Sequence, residues 1–153
     1  MVEVDRSLEE LYGLVKEDVE LTRFLTESGR WLEVFKNPYM PKSNVDAGIV
    51  CSEGPYSSYL VLLVFPEFTC LCPRTSQPDF ANITIEYEPN GHCVELKSLK
   101  YYLNSFRSEG HFHEEVINLI YSDLFEALRP LSLKVVGKFN VRGGIQPTIA
   151  VGS

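Results

Sequence analysis

Over residues 81–88 apolar and polar side chains alternate without interruption, with Ile83, Ile85 and Tyr87 on one side and Thr84, Glu86 and Glu88 on the other. A period of two means a strand with one buried face, and Pro89, Asn90 and Gly91 end it. The next two segments repeat at helical spacing. Leu96, Leu99, Leu103 and Phe106 form one apolar stripe, ended by Gly110; Val116, Ile117, Ile120, Leu124 and Leu128 form another, ended by Pro130. Strand-like runs lie on both sides of this unit, at 59–65 before it and at 133–141 and about 145–151 after it, with Gly143 and Gly144 turning the chain between the last two. Strands, two helices, then strands predict an α+β domain: a four-stranded antiparallel sheet with both helices on one face.

The N-terminal part reads differently. Residues 7–27 carry a capping-box pattern, Ser7 with Glu10, followed by Leu8, Leu11, Val15, Val19 and Thr22 at helical spacing, and Gly29 is a plausible stop. From 31 to 44 the chain is punctuated by Asn37, Pro38, Pro41, Ser43 and Asn44, which predicts an irregular connector with Trp31 and Phe35 as packing anchors. A further strand is expected at 47–51, in a hairpin with 59–65. The expected organisation is a helical extension and connector over 1–44 and a catalytic unit over 45–153, within a single domain overall.

A net charge of −7 over 153 residues disfavours a broad nucleic-acid or membrane surface, so an anionic ligand has to be met by a local basic cluster. Lys97, Lys100 and Arg142 are the candidates. The run at 59–65 is strand-sized, far below the ~20 apolar residues of a membrane-spanning helix. Four cysteines, at 51, 70, 72 and 93, without a secretory leader pattern, point to a reducing cytoplasm.

Chemistry concentrates in 68–80, FTCLCPRTSQPDF. In a loop pinned by Pro73 and Pro78, Cys72 and Asp79 can face one bound ligand, the thiol as nucleophile and the carboxyl as proton donor. Taken singly, such a cysteine also reads as a small buried hydrophobe and such an aspartate as a turn residue.

Four motifs in order, EFTCLCPRTSQPDF at 67–80, ELKSLKYY at 95–102, HFHEE at 111–115 and GKFNVRGGI at 137–145, resemble the NADPH-dependent 7-cyano-7-deazaguanine reductases of the queuosine pathway, in their short single-module form. The resemblance implies the tunnelling fold, whose units associate side by side into a homo-oligomeric β-barrel ring, one or two rings deep, with active sites between subunits. It implies Cys72 as the nucleophile that forms a thioimide with the nitrile and Asp79 as the proton donor. Val94, Glu95, Leu96, His113 and Glu114 match the substrate segments; Lys97, Lys100, Arg142 and Gly143 match those for NADPH. No metal is implied. Two positions depart from the family pattern: Cys70, where a small hydroxyl residue is usual, is a second thiol beside the nucleophile, and Ser76, where glycine is common, carries a cost if the backbone there takes positive φ.

Outside the resemblance, Glu114 and Glu115 read as first-turn acids that complement a helix N-terminus, and Lys97 and Lys100 as solvated lysines. Three other functions stay open. An amidinotransferase of the same fold would keep Cys72 and Asp79 but lack the NADPH motif. A zinc enzyme of the GTP cyclohydrolase type would recruit Cys70, Cys72, Cys93, His92, His111 or His113, although these spacings do not reproduce a structural zinc pattern. A non-catalytic purine-binding module would keep Glu114 with no use for the Cys72 and Asp79 pair.

Overall fold

The computed structural model describes residues 20–39 and 58–152. Strands β1 (Leu21–Leu25), β2 (Trp31–Lys36), β3 (Val61–Leu71), β4 (Pro78–Glu88) and β5 (His92–Val94) precede helix α1 (Leu96–Asn104), a short 3₁₀ turn (Ser105–Ser108) and helix α2 (His113–Leu128). Strands β6 (Ser132–Phe139) and β7 (Thr148–Gly152) follow. The four-stranded antiparallel sheet has the order β3-β4-β6-β7, and a smaller sheet has the order β1-β2-β5.

The expected four-stranded sheet and the two helices that follow residue 94 are present, with adjusted ends. The helix expected over 7–27 does not run to its predicted end, because Leu21–Leu25 is β1, paired antiparallel with β2; residues 7–19 lie outside the described residues. Trp31–Lys36, expected in a connector, is a strand because Leu32 and Val34 alternate into the core while its backbone pairs with β1 and β5. The strand expected at 47–51 lies outside the described residues. The stretch 68–80, expected as one loop, is mostly hairpin: Leu71 pairs with Pro78 and Cys70 with Asp79, leaving only 72–77 as the connection.

The alternation of β4 runs further back than residue 81. Asp79, Ala81, Ile83, Ile85 and Tyr87 form one buried row, so a carboxylate stands at the end of an apolar line. Against this row pack α2 and the end of α1. The buried face of α2 includes Val116, Ile117, Ile120 and Leu124, and α2 approaches β6 so closely at Gly137 that a Cβ there would lie 2.4 Å from Ile117 Cδ1. The helix stops at Arg129, whose left-handed backbone (φ 44°) donates its N–H to Phe125 O, and Pro130 blocks continuation. Leu32 and Val34 of β2 share the same core cluster.

A bulge in β3 sets the phase of the site. Phe65 pairs with Ile83 and Phe68 with Ala81, so Pro66 and Glu67 together oppose Asn82. Before the bulge the odd-numbered residues face the helices; after it the even-numbered Phe68 and Cys70 do. Cys72 follows in that row.

Candidate active site

Cys72 leaves β3 into a tight connection. Its N–H donates to Gln77 O (2.8 Å), its carbonyl accepts from Ser76 N (2.9 Å), and Ser76 takes φ 56°, the left-handed conformation that its glycine-like position suggested. The half-buried thiol of Cys72 lies below its ordinary pKa, because the Thr75 hydroxyl and then the backbone N–H groups of Arg74 and Thr75 hydrogen-bond to sulfur and favour the thiolate. Cys70 is its opposite. Fully buried, it is pushed up to about 12 by desolvation and by the neighbouring Asp79. The second thiol therefore stays protonated and does not compete as a nucleophile, and Cys70, Cys72 and Cys93 are all free.

Asp79 is only 6 % exposed, and two partners satisfy its carboxylate: Arg142 Nη1 at 3.1 Å from Oδ1 and His113 Nε2 at 3.3 Å from Oδ2. Arg142 also donates to Pro78 O (2.9 Å), which locks the start of β4. Its own placement comes from a two-residue turn in which Arg142 and Ile145 exchange both backbone hydrogen bonds and Gly143 and Gly144 take φ of 55° and 81°. His113, the first residue of α2, is oriented by stacking on Phe139.

The loop before α2 is tied to the end of β3 by Leu71 N to Glu109 O (2.9 Å) and His111 N to Leu71 O (3.0 Å). His111 is held in turn by Glu109 (2.8 Å), which also pairs with Arg30 of the β1–β2 turn. Burial works against the charged form of Glu109, but the His111 and Arg30 contacts outweigh it and hold the carboxyl below its ordinary value.

Cys72, Asp79, His113, Glu114 and Arg142 thus line one cleft of about 200 Å³, together with Pro73, His111 and Phe112. The other expected site residues lie elsewhere. Val94, Glu95 and Leu96 line a separate, apolar cleft of about 510 Å³ with Phe35, Tyr59 and Tyr87. The Glu95 carboxylate caps α1, accepting from Lys97 N and Ser98 N at 2.8 Å each. Lys97 lines a third depression, and Lys100 is exposed on the same helix. Among the described residues, no group of three or more His, Cys, Asp or Glu side chains is placed to hold a metal ion, and no helix is long and apolar enough to cross a membrane.

The motifs did not show the contact of Arg142 with Asp79 or the stacking of His113 on Phe139. The first was recoverable from strand register: Ala81 pairs with Phe139, so the chain just beyond β6 must run beside Asp79. Nothing in the sequence marked the second.

A half-exposed thiol with a lowered pKa and a buried carboxyl stand together at the end of a four-stranded antiparallel sheet backed by two helices, the architecture of the T-fold proteins. The chain matches the QueF-like protein family over residues 78–153. It is 46 % identical over 124 residues to the NADPH-dependent 7-cyano-7-deazaguanine reductase of Halorhodospira halophila, covering 81 % of this chain and 92 % of that protein. It is 44 % identical over 125 residues to the enzyme of the same name from Nitrosococcus oceani, covering 82 % and 85 %. The crystal structure of the archaeosine synthase QueF-Like in the apo form superposes with a TM-score of 0.56 at 25 % identity, covering 61 % of this chain and 92 % of that one. The chain belongs to the family of NADPH-dependent 7-cyano-7-deazaguanine reductases, and is thereby an oxidoreductase.

Proposed function

We propose that this chain reduces the nitrile of 7-cyano-7-deazaguanine to the primary amine, 7-aminomethyl-7-deazaguanine, using two NADPH and a thioimide on Cys72, in the cytoplasmic route to the queuosine of tRNA. The observation that carries this reading is the activated thiol of Cys72 in one cleft with the buried Asp79. A nitrile carbon is electrophilic but a poor hydride acceptor, and covalent addition of a thiol removes that obstacle. The Cys72 thiolate forms a C–S bond to the nitrile carbon while the nitrogen takes the proton of Asp79, giving the thioimide. NADPH supplies the two hydrides that the carbon takes up. Between them the C–S bond breaks, its electron pair returns to Cys72, and an imine is left; a second proton on nitrogen completes the amine. His113, 3.3 Å from Asp79, is placed to restore its proton, and Glu114 at the rim accepts hydrogen bonds from the N–H groups of the deazaguanine ring.

For the cofactor, Lys97 and Lys100 offer cations to its phosphates. Gly143, with nothing within 4 Å of where a Cβ would stand, lets it approach the backbone beside Arg142. The catalytic unit is 45–153, with 1–44 as an extension.

The division of the substrate segments between two clefts supports a site completed by a second copy of the chain. A cleft of about 200 Å³ is small for a bicyclic ligand, whose pockets run from about 300 Å³ upward. In the four-stranded sheet β3 and β7 are the edge strands, and ring closure would pair them. In that arrangement the Val94, Glu95 and Leu96 cleft of one subunit faces the Cys72 cleft of its neighbour.

The test is NADPH oxidation with 7-cyano-7-deazaguanine, beside intact-protein mass spectrometry of enzyme and nitrile without NADPH. Two NADPH consumed per nitrile and an adduct lost in Cys72→Ala are expected. The likeness to the archaeosine synthase favours a second reading, amidinotransfer, and an adduct without NADPH consumption would select it.

A further inference from the structure

The third depression is built where the β1–β2 hairpin meets the start of α1, and Arg23, Trp31, Glu33, Lys97, Ser98 and Tyr101 line it, enclosing about 240 Å³. Its walls are fixed. Glu95 N donates to Glu33 O (2.8 Å), and the Ser98 hydroxyl accepts from Glu33 N (2.9 Å), so strand and helix are joined at two points. Two large aromatic side chains are nevertheless left in solvent, Trp31 at 50 % and Tyr101 at 61 % exposure. The Arg23 guanidinium lies 4.9 Å from the Trp31 ring centroid, and Glu33 meets it along the Nε edge at 3.4 Å. Lys100 Nζ stands 5.9 Å from the Tyr101 ring. Two cations, Arg23 and Lys97, and one carboxylate, Glu33, line the depression, on a chain whose net charge is −7.

Resting on the proposed reductase reading, we infer that this depression binds the 2′-phosphorylated adenosine end of NADPH. Trp31 and Tyr101 offer flat surfaces to the adenine, and Arg23 and Lys97 meet the 2′-phosphate. A planar base needs a face to stack on, and arginine stacked on an aromatic ring keeps further N–H donors for a phosphate. The nicotinamide end offers no comparable anion. The depression shares no lining residue with the Cys72 cleft, as suits the end of the cofactor that does not react. Neither Trp31 nor Arg23 belongs to the motif that carries Lys97 and Lys100, so the inference adds the N-terminal hairpin to the binding machinery and makes it a determinant of NADPH over NADH.

Trp31 is the only tryptophan of the chain, so its fluorescence reports the site directly. The full-length enzyme is titrated with adenosine 2′,5′-bisphosphate, adenosine 5′-monophosphate and NADPH. Saturable quenching by the bisphosphate and by NADPH is expected, with much weaker quenching by the monophosphate. Arg23→Ala should weaken bisphosphate binding about tenfold, the usual scale for one charge-assisted contact, and raise the KM for NADPH in step, while Arg23→Lys recovers part of both. An enzyme that oxidises NADPH with the nitrile but shows no Trp31 quenching, and whose KM is unmoved in Arg23→Ala, overturns the inference and leaves the reductase reading intact. Absence of NADPH oxidation overturns both.

Discussion

His113 lies flat against Phe139, ring centroids 3.7 Å apart and planes 11° from parallel, so a core aromatic at the end of β6 sets the direction in which the imidazole meets Asp79. Phe139 is itself 1 % exposed and touches Phe68 edge-on, which makes the orientation a property of the core. Phe139→Leu keeps the site apolar and should cost about 1 kcal/mol of stability by denaturant unfolding. Turnover should fall about tenfold, as expected for a misaligned proton-transfer group. An unchanged rate would show that His113 needs no such support.

The activation of Cys72 is local, and Thr75 contributes most to it. In wild type, alkylation by iodoacetamide should rise with pH around a midpoint below that of an ordinary thiol. Thr75→Val should move that midpoint up, so that at neutral pH the variant is alkylated more slowly and reduces nitrile more slowly. Cys70, pushed up to about 12 and fully buried, should remain unlabelled in the folded enzyme. Peptide mapping of the alkylated protein checks both statements.

Ser76 takes a backbone conformation that costs an L-residue about 1–2 kcal/mol, and glycine would relieve this at some entropic cost in the unfolded chain. Ser76→Gly should raise the unfolding midpoint slightly and retain activity. Ser76→Val, β-branched at φ 56°, should distort the 72–77 connection and lower both stability and the rate of Cys72 alkylation.

Glu109 ties the β1–β2 turn to the loop before α2 through Arg30 and His111. Its pKa is depressed in the folded state, so its stabilising contribution is present above the ordinary glutamate value of about 4.3 and is lost as pH falls through the lower folded value. Glu109→Gln should therefore be less stable than wild type near neutrality, and the difference should shrink on acidification. Thermal midpoints of both proteins measured from neutral to acid pH read this directly.

The sheet and both helices were legible because each has a long period of its own: two in β4, and near 3.6 in α1 and α2. The N-terminal hairpin was not. Leu21–Leu25 is almost wholly exposed and carries no buried alternation, so the helical spacing running into it was the stronger local signal. In Trp31–Lys36 the alternation of Leu32 and Val34 was there to see, but the Asn37 and Pro38 that follow suggested irregular chain. At the site, Cys72, Asp79, His113, Glu114 and Arg142 came out of the motifs and share a cleft. The split of the remaining positions among other clefts depends on three-dimensional packing, which spacing along the chain does not encode.

The single extra residue in β3 lets an odd-numbered and an even-numbered row share one face of the strand. Pro66 and Glu67 face solvent, so packing constrains their identities only loosely. Removing either one would return β3 to simple pairing with a single residue opposite Asn82; Phe65 and Phe68 would keep Ile83 and Ala81 as partners, and Cys72 would stay on the face of Asp79 and His113. The thiol is held in the site by the pairs at the hairpin end, Cys70 with Asp79 and Leu71 with Pro78, so the bulge is the place where this strand can gain or lose a residue without moving its chemistry.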